Sequence, residues 1–377
     1  MAASSIPNLN TLRPRAGGPS GLRGRRRNVE DGELSAEARD RIVQQTDNDA
    51  SLSRISAVEL GYLHDPFARA FVDGPVPRRY PIINRGTYAR TTALDSLVLK
   101  FLRESGDAQT QVISLGAGSD TRFFRLAVEV PNYTQRLLYH ELDFPANTIA
   151  KTSAIRRSSD LLGAIQGSLD VPQDPSELVF HEDGTGMRSP TYNLHAIDLR
   201  TLADPATAPS VPNLSTTAPT LIISECCLCY FPPATTSSIL RTITGTLVPS
   251  PTPVGLILYE PIRPHDPFGK VMVSNLAARG IHLQTLEAYS TLSRQKQRLR
   301  DVGFMSGQGA ADVNFAFEKW IDTEQRERVA GLEMLDELEE WRLLAQHYCV
   351  AWGWRDGESE VFGRAWSDVK AQEDGGG

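Results

Sequence analysis

Apolar positions along the chain fall into two patterns. Short continuous runs at residues 111–115, 137–142, 221–224, 255–259 and 348–354 read as buried strands. Longer segments with helical spacing lie between them. In residues 90–104, Leu94, Leu97, Val98 and Phe101 recur at i, i+3, i+4 and i+7, which puts them on one helix face. A second helix is predicted from Asp322 to about Gln346, with Met334, Leu338, Trp341, Ala345 and Tyr348 on its apolar stripe. The acidic stretch from Glu333 to Glu340 then forms its solvated face. Strands of this kind separated by helical segments predict an α/β chain, with parallel strands joined by helical crossovers. Residues 203–219, rich in Pro, Thr, Ser and Ala, and the proline cluster at 249–253 read as surface loops. No internal repeat is evident, so a propeller or solenoid is not expected.

Composition adds bounds. With 377 residues, 40% hydrophobic and 23% charged, the chain is long enough to bury a sizeable core. Lys+Arg 39 against Asp+Glu 46 gives −7, which argues against an electrostatic grip on nucleic acid. The charge is uneven. Residues 1–27 hold Arg13, Arg15, Arg23, Arg25, Arg26 and Arg27 and no acid, leaving −13 for the rest (−7 minus +6). This stretch is rich in Gly, Pro and Ser and has no apolar period. Residues 1–46 are therefore expected to be a disordered tail, and 47–372 a single domain. The tail reads first as a solvated segment and second as a nuclear address or RNA-binding arm. No apolar run is long enough to span a membrane, and Met1 to Asn10 lack a signal-peptide core. Cys226, Cys227, Cys229 and Cys349 are too few and too bunched for a disulfide scaffold. A reducing, cytoplasmic setting follows, in which the sequons at Asn132 and Asn213 are chance.

The strongest local chemistry is Leu115-Gly116-Ala117-Gly118-Ser119-Asp120-Thr121 at the end of an apolar strand. Glycines there let the backbone approach a ligand and open a helix N-terminus toward it. Thr121 stands where the dinucleotide fingerprint has its third glycine, so the full motif is absent. The next strand ends in Asp143, placed to accept hydrogen bonds from ribose hydroxyls. That pair fits a nicotinamide cofactor or S-adenosylmethionine. The methionine end of the latter needs a cation for its carboxylate, and Arg85 and Arg90 lie just upstream. Asp198-Leu199 follows a short apolar stretch; a helix N-cap is its default reading, an adenine contact the alternative. Glu225 sits at the carboxyl end of an apolar strand, where open α/β sheets bind ligands and where a carboxylate needs a partner.

Other chemistry is poorly supported. Cys226, Cys227 and Cys229 lack a matching distant pair and read as core packing on a buried strand, so no metal is expected. His64-Asp65 and His140-Glu141 stand outside any recognised catalytic motif.

Taken together, the segments at 61–67, 84–90, 115–121, 141–145, 224–230, 266–269 and 347–349 resemble the leucine carboxyl methyltransferase family, in collinear order over residues 47–354. The resemblance implies a doubly wound, Rossmann-like, S-adenosylmethionine-dependent methyltransferase fold with added helical lid segments. It implies methylation of the C-terminal leucine carboxylate of protein phosphatase 2A catalytic subunits. By motif match, Arg90 would hold the methionine carboxylate, Gly116 the close-approach turn and Asp143 the ribose. Asp198 and Leu199 would hold the adenine, Glu225 the methionine end, and Arg54 would add a basic cofactor contact. The arginine-rich tail and the insertion at 203–219 depart from the family pattern.

In this reading the acceptor is already an anion, with an α-carboxyl pKa of about 3.5, so no general base is expected. Proximity, in-line alignment and exclusion of water carry the catalysis. Tyr230, just past Glu225, is a candidate for orienting the acceptor, or a core residue. The expected enzyme is a monomer with no nucleic-acid or membrane partner, cytoplasmic with a nuclear pool if the tail is an address. The rivals are a small-molecule carboxyl or hydroxyl methyltransferase on the same fold and a non-catalytic phosphatase-binding chaperone.

Overall fold

A computed structural model describes residues 35–168, 178–336 and 338–373. One nine-stranded sheet organises the chain. Its strands are β1 (Thr110–Leu115), β2 (Leu137–Asp143), β3 (Val179–Phe180), β4 (Met187–Arg188), β5 (Tyr192–Ala196), β6 (Thr220–Glu225), β7 (Val254–Pro261), β8 (Gly307–Asp312) and β9 (Tyr348–Arg355). They lie in the order β3-β4-β5-β2-β1-β6-β7-β9-β8. The five central strands, β5 to β7, are parallel, as their apolar runs and helical spacers predict. The sheet is nevertheless mixed, because β9 runs antiparallel to both β7 and β8. Sequential crossovers run outward from β1 through β2 to β5, then outward the other way through β6 to β7. Strand order therefore reverses between β1 and β6, and a ligand crevice is expected at their carboxyl tips.

Both faces of the sheet are buried, and alternate residues serve the two cores. On β1 and β6, Val112, Leu221 and Ile223 pack on one side, with Ile113 and Ile222 on the other. The first side is covered by helix α2 (Pro81–Glu104), whose Leu94, Leu97, Val98 and Phe101 form the expected stripe, and by α3 (Arg122–Glu129). Proline at the first turn of α2 starts this helix upstream of Arg90.

Three expectations are corrected. Helix α1 (Ala36–Glu59) is capped by Ser35, which accepts from the Ala38 N–H at 3.3 Å, so ordered chain begins before residue 47. Its first half has no apolar period because Val43, Gln44, Thr46 and Asp47 line the cleft rather than a core. The arginines expected in a disordered tail lie outside the described residues. The single helix expected over 322–346 is two, Thr323–Ala330 and Leu338–Gln346. Gly331 closes the first by donating its N–H to Glu327 and Arg328, and the following turn carries Glu333 inward. Glu333 is buried, not solvated. It pairs with Arg78 at 2.5 Å and accepts from Asn84 at 2.9 Å, while Met334 and Leu338 are exposed. Trp341 and Ala345 pack inward as their spacing predicts. Strand β8, for which the sequence gives no signal, has no apolar side chains at its start. Gly307 and Gly309 leave the space that the Trp354 and Trp352 rings of β9 fill.

Candidate functional site

A cleft of about 400 Å³ opens at the carboxyl tips of β1, β2 and β6, where strand order reverses. Its floor is the glycine turn. Gly116 and Gly118 have φ of +63° and +48°, a left-handed backbone that other residues adopt at a cost. At Gly116 there is a second constraint. A Cβ there would lie 2.5 Å from the Cys227 Sγ, so the glycine admits a thiol from the turn after β6 as well as facing the cleft.

Asp143 ends β2 beside this turn. Its carboxylate accepts from the N–H groups of Gly118 and Phe144, both at 2.7 Å, and from the Asn147 side chain at 3.0 Å. Burial pushes its pKa up, and these donors only partly offset that. Glu225 ends β6. It faces the Arg90 Nε at 2.9 Å, an ion pair without hydrogen-bond alignment, and accepts from the Arg122 Nη2 at 3.1 Å. Arg122 is buried at the start of α3 and also donates to Asp95 at 2.8 Å and pairs with Asp120. Burial opposes the charge of Asp95, yet Arg125 and Arg122 hold its carboxyl well below the usual range. A second buried pair supports the turn from below. The Lys151 ammonium donates to the Asp120 carbonyl at 2.7 Å and pairs with Glu141 at 2.5 Å. Such networks hold direction rather than add net stability, because each ion has lost its water.

Helix α1 closes over the cleft. Asp47 accepts from Ser119, Asp49 pairs with Arg279 and with Arg79, and Asp40 pairs with Arg200 at 2.7 Å. Thr46 reaches the hydroxyl of Tyr230, whose pKa is raised well above the usual range by burial and by Cys229 and Cys226. Tyr230 therefore stays a neutral donor at physiological pH.

Most of the residues singled out from sequence converge here. Gly116, Asp143, Glu225, Arg90, Arg54, Leu199 and Tyr230 all line the cleft. Arg54 does so with its charge already committed: it is buried and pairs with Asp65 at 2.9 Å. Two candidates are set apart. The Asp198 carboxylate is outside the lining; it caps its own turn by accepting from the Arg200 N–H at 3.0 Å and pairs with the Arg200 side chain. Its default reading as a cap is the one the structure displays. Arg85 points instead between the Phe317 and Trp341 rings, at 5.8 and 5.7 Å, so of the two upstream arginines Arg90 enters the cleft. The cysteines also move. Cys226 and Cys227 lie past the end of β6 and line the cleft, while Cys229 is buried behind them. Sequence reasoning missed Asp47, Arg122 and Arg279. Arg122 adjoins the glycine motif, so its signal was at hand. Asp47 and Arg279 act across the fold from distant segments.

A doubly wound sheet with five parallel central strands, a crevice at its reversal point, a glycine turn and strand-end carboxylates define a Rossmann-like α/β domain built to hold a nucleoside-bearing ligand. A family model for leucine carboxyl methyltransferase matches residues 42–244. The chain is 49% identical to leucine carboxyl methyltransferase 1 of Aspergillus fumigatus, with 99% of both chains covered. It is 39% identical to the protein of the same name from Schizosaccharomyces pombe, covering 82% of this chain and 93% of that one. It is 34% identical to an Arabidopsis thaliana homolog, covering 89% and 94%. The chain belongs to the leucine carboxyl methyltransferase family. Solved structures are more distant: a geranyl diphosphate methyltransferase with geranyl diphosphate and sinefungin is 12% identical, covers 84% of this chain and 99% of that one, and superposes with a TM-score of 0.41.

Proposed function

We propose that this protein transfers a methyl group from S-adenosylmethionine to the α-carboxylate of the C-terminal leucine of protein phosphatase 2A catalytic subunits, giving a leucine methyl ester. The observation that carries the reading is one cleft holding the family's glycine turn, a strand-end carboxylate on each side of it, and Arg90. The donor set fits the cofactor. Asp143 suits ribose hydroxyls, Leu199 an adenine face, Glu225 the ammonium and Arg90 the carboxylate of the methionine end. The Arg90 Nε supports this, since it is buried with no hydrogen-bond acceptor of its own. The cleft volume also suits a ligand of this size. The cofactor supplies a methyl group activated by its sulfonium.

The protein's own contribution is positioning. A carboxylate nucleophile needs no base at neutral pH. The apolar ring of Tyr230, Phe231, Tyr259, Leu276 and Ile281 suits a leucine side chain and excludes water from the nucleophile. Tyr230, held neutral, orients the acceptor oxygen by donation. We place the enzyme in the cytoplasm as a monomer. Free Cys226, Cys227, Cys229 and Cys349 support a reducing compartment, and no described helix is long and apolar enough to cross a membrane. The test is transfer of labelled methyl to the phosphatase catalytic subunit with its terminal leucine present or removed. Label that needs the leucine and is released by alkali is expected; equal labelling of both forms would refute the assignment.

A further inference from the structure

Four arginines line the cleft, and three have other roles: Arg54 and Arg122 are held in buried ion pairs, and Arg90 is the one assigned to the methionine carboxylate above. Arg54 is buried against Asp65. Arg90 and Arg122 share Glu225, and Arg122 also binds Asp95 and Asp120. Arg279 differs. Its guanidinium is 36% exposed, and its ion pair is with Asp49 of α1, which is itself 40% exposed and has Arg79 as a second cation at 3.5 Å. Asp49 can therefore release Arg279 without being left unpaired.

Arg279 is also set in the apolar wall. It follows Leu276 and precedes Ile281, both lining residues. The segment is fastened to the turn that carries Tyr230, because Gln284 donates its N–H to the Cys229 carbonyl at 2.8 Å and its side-chain amide to the Tyr230 carbonyl at 2.5 Å. An apolar wall with one exchangeable cation matches an apolar residue that ends in a carboxylate. An incoming carboxylate loses water in such a cleft and needs a charge partner there.

We propose that Arg279 is the residue that recognises the free carboxylate of the acceptor, and that Asp49 occupies it between turnovers and passes to Arg79 when the acceptor binds. This rests on the functional reading above and adds the basis of its specificity. Esterification removes the negative charge, so the product loses its hold on Arg279 and Asp49 returns. The same cation thus selects substrate and favours release of product.

The experiment is a cycle of two termini against three proteins. The phosphatase catalytic subunit, ending in leucine carboxylate or in leucinamide, is titrated into the full-length enzyme with S-adenosylhomocysteine present, so that binding is read without reaction. The unsubstituted protein should prefer the carboxylate by about 30-fold, the scale of a charge-assisted pair. Arg279→Gln should reduce that preference to about 3-fold or less. Asp49→Asn breaks the same ion pair but frees the arginine, so the preference should persist or grow. An unchanged preference in Arg279→Gln overturns the proposal. So does an equal loss of affinity for both termini in both variants, which would make the pair a structural clasp. Methyl transfer to the carboxylate form by the unsubstituted enzyme is measured alongside. If it fails, the functional reading falls and takes this proposal with it; if it succeeds while the preference ignores Arg279, only this proposal falls.

Discussion

Asp47 of α1 and Ser119 of the glycine turn are joined twice, with the Ser119 N–H and hydroxyl both donating to one carboxylate oxygen at 2.8 and 2.7 Å. This ties a helix over the cleft to the backbone on its floor. Asp47→Ala removes an acceptor at the helix N-cap side of the turn and frees α1 to lift. Cofactor dissociation should quicken by about 5- to 10-fold, with little change in melting temperature, as for other lid contacts. Stopped-flow displacement of bound S-adenosylmethionine measures it, and an unchanged off-rate would show that α1 does not restrain the ligand.

Asp143→Ala should act on ligand and fold together. Loss of a charged acceptor for ribose hydroxyls should weaken cofactor binding by about 30-fold or more. The variant also strands the Gly118 and Phe144 N–H groups, so the melting temperature should fall by about 2 to 4 °C. Titration calorimetry and a thermal melt separate the two effects. A binding loss without any thermal change would mean that water takes over both donors.

Arg122→Met is predicted to be the most damaging change at the site. It leaves Asp95, Asp120 and Glu225 without their shared buried cation. Removing one member of a buried ionic network costs on the order of 3–5 kcal/mol. Urea unfolding monitored by tryptophan fluorescence should show a lower midpoint at constant slope. Stability within about 0.5 kcal/mol of the parent would mean that the carboxylates find other partners.

His140 and His195 stack in the core with ring nitrogens 3.1 Å apart. Burial lowers the pKa of His140 to about 3, helped by His195, and that of His195 to about 4, helped by His181. Both folded values lie below the ordinary 6.5, so the unfolded chain takes up protons first. Their neutral forms therefore cost the fold nothing above pH 6.5, and stability falls as pH drops from there toward 4. The slope should reach about 1.4 kcal/mol per pH unit per histidine. His140→Asn should flatten the acid limb of a stability profile over this window; an unaltered limb would place the acid sensitivity elsewhere.

What was legible in the sequence was whatever acts through near neighbours. The central strands announced themselves by apolar runs, and Asp143 and Glu225 were visible because each ends such a run. Glycine 116 was visible for its turn, though not for the thiol pressed against it. The misses have a common physical cause. Strand β8 hides because Gly307 and Gly309 yield their side-chain volume to Trp354 and Trp352, so the apolar signal is carried by the neighbouring strand. The start of α1 hides because its contacts are polar pairs with remote segments, Asp40 on Arg200 and Asp47 on Ser119, which leave no apolar stripe. Glu333 was misread because a charge run looks solvated until Arg78 and Asn84, from remote parts of the chain, are brought beside it. Arg279 and Asp49 likewise meet only once the chain has closed on itself.

The thiol behind Gly116 has a chemical consequence. Burial, together with Asp143 and Glu260, pushes the Cys227 pKa well above its ordinary value, so it remains a thiol at neutral pH. Thiols are poor nucleophiles compared with thiolates. A reactive cysteine beside an alkylating reagent would consume it and, once capped, would force the glycine turn out of shape. Held in its protonated form, Cys227 can share a chamber with a methyl sulfonium and leave it intact, so the enzyme keeps its electrophile for the guest and does not inactivate itself between encounters.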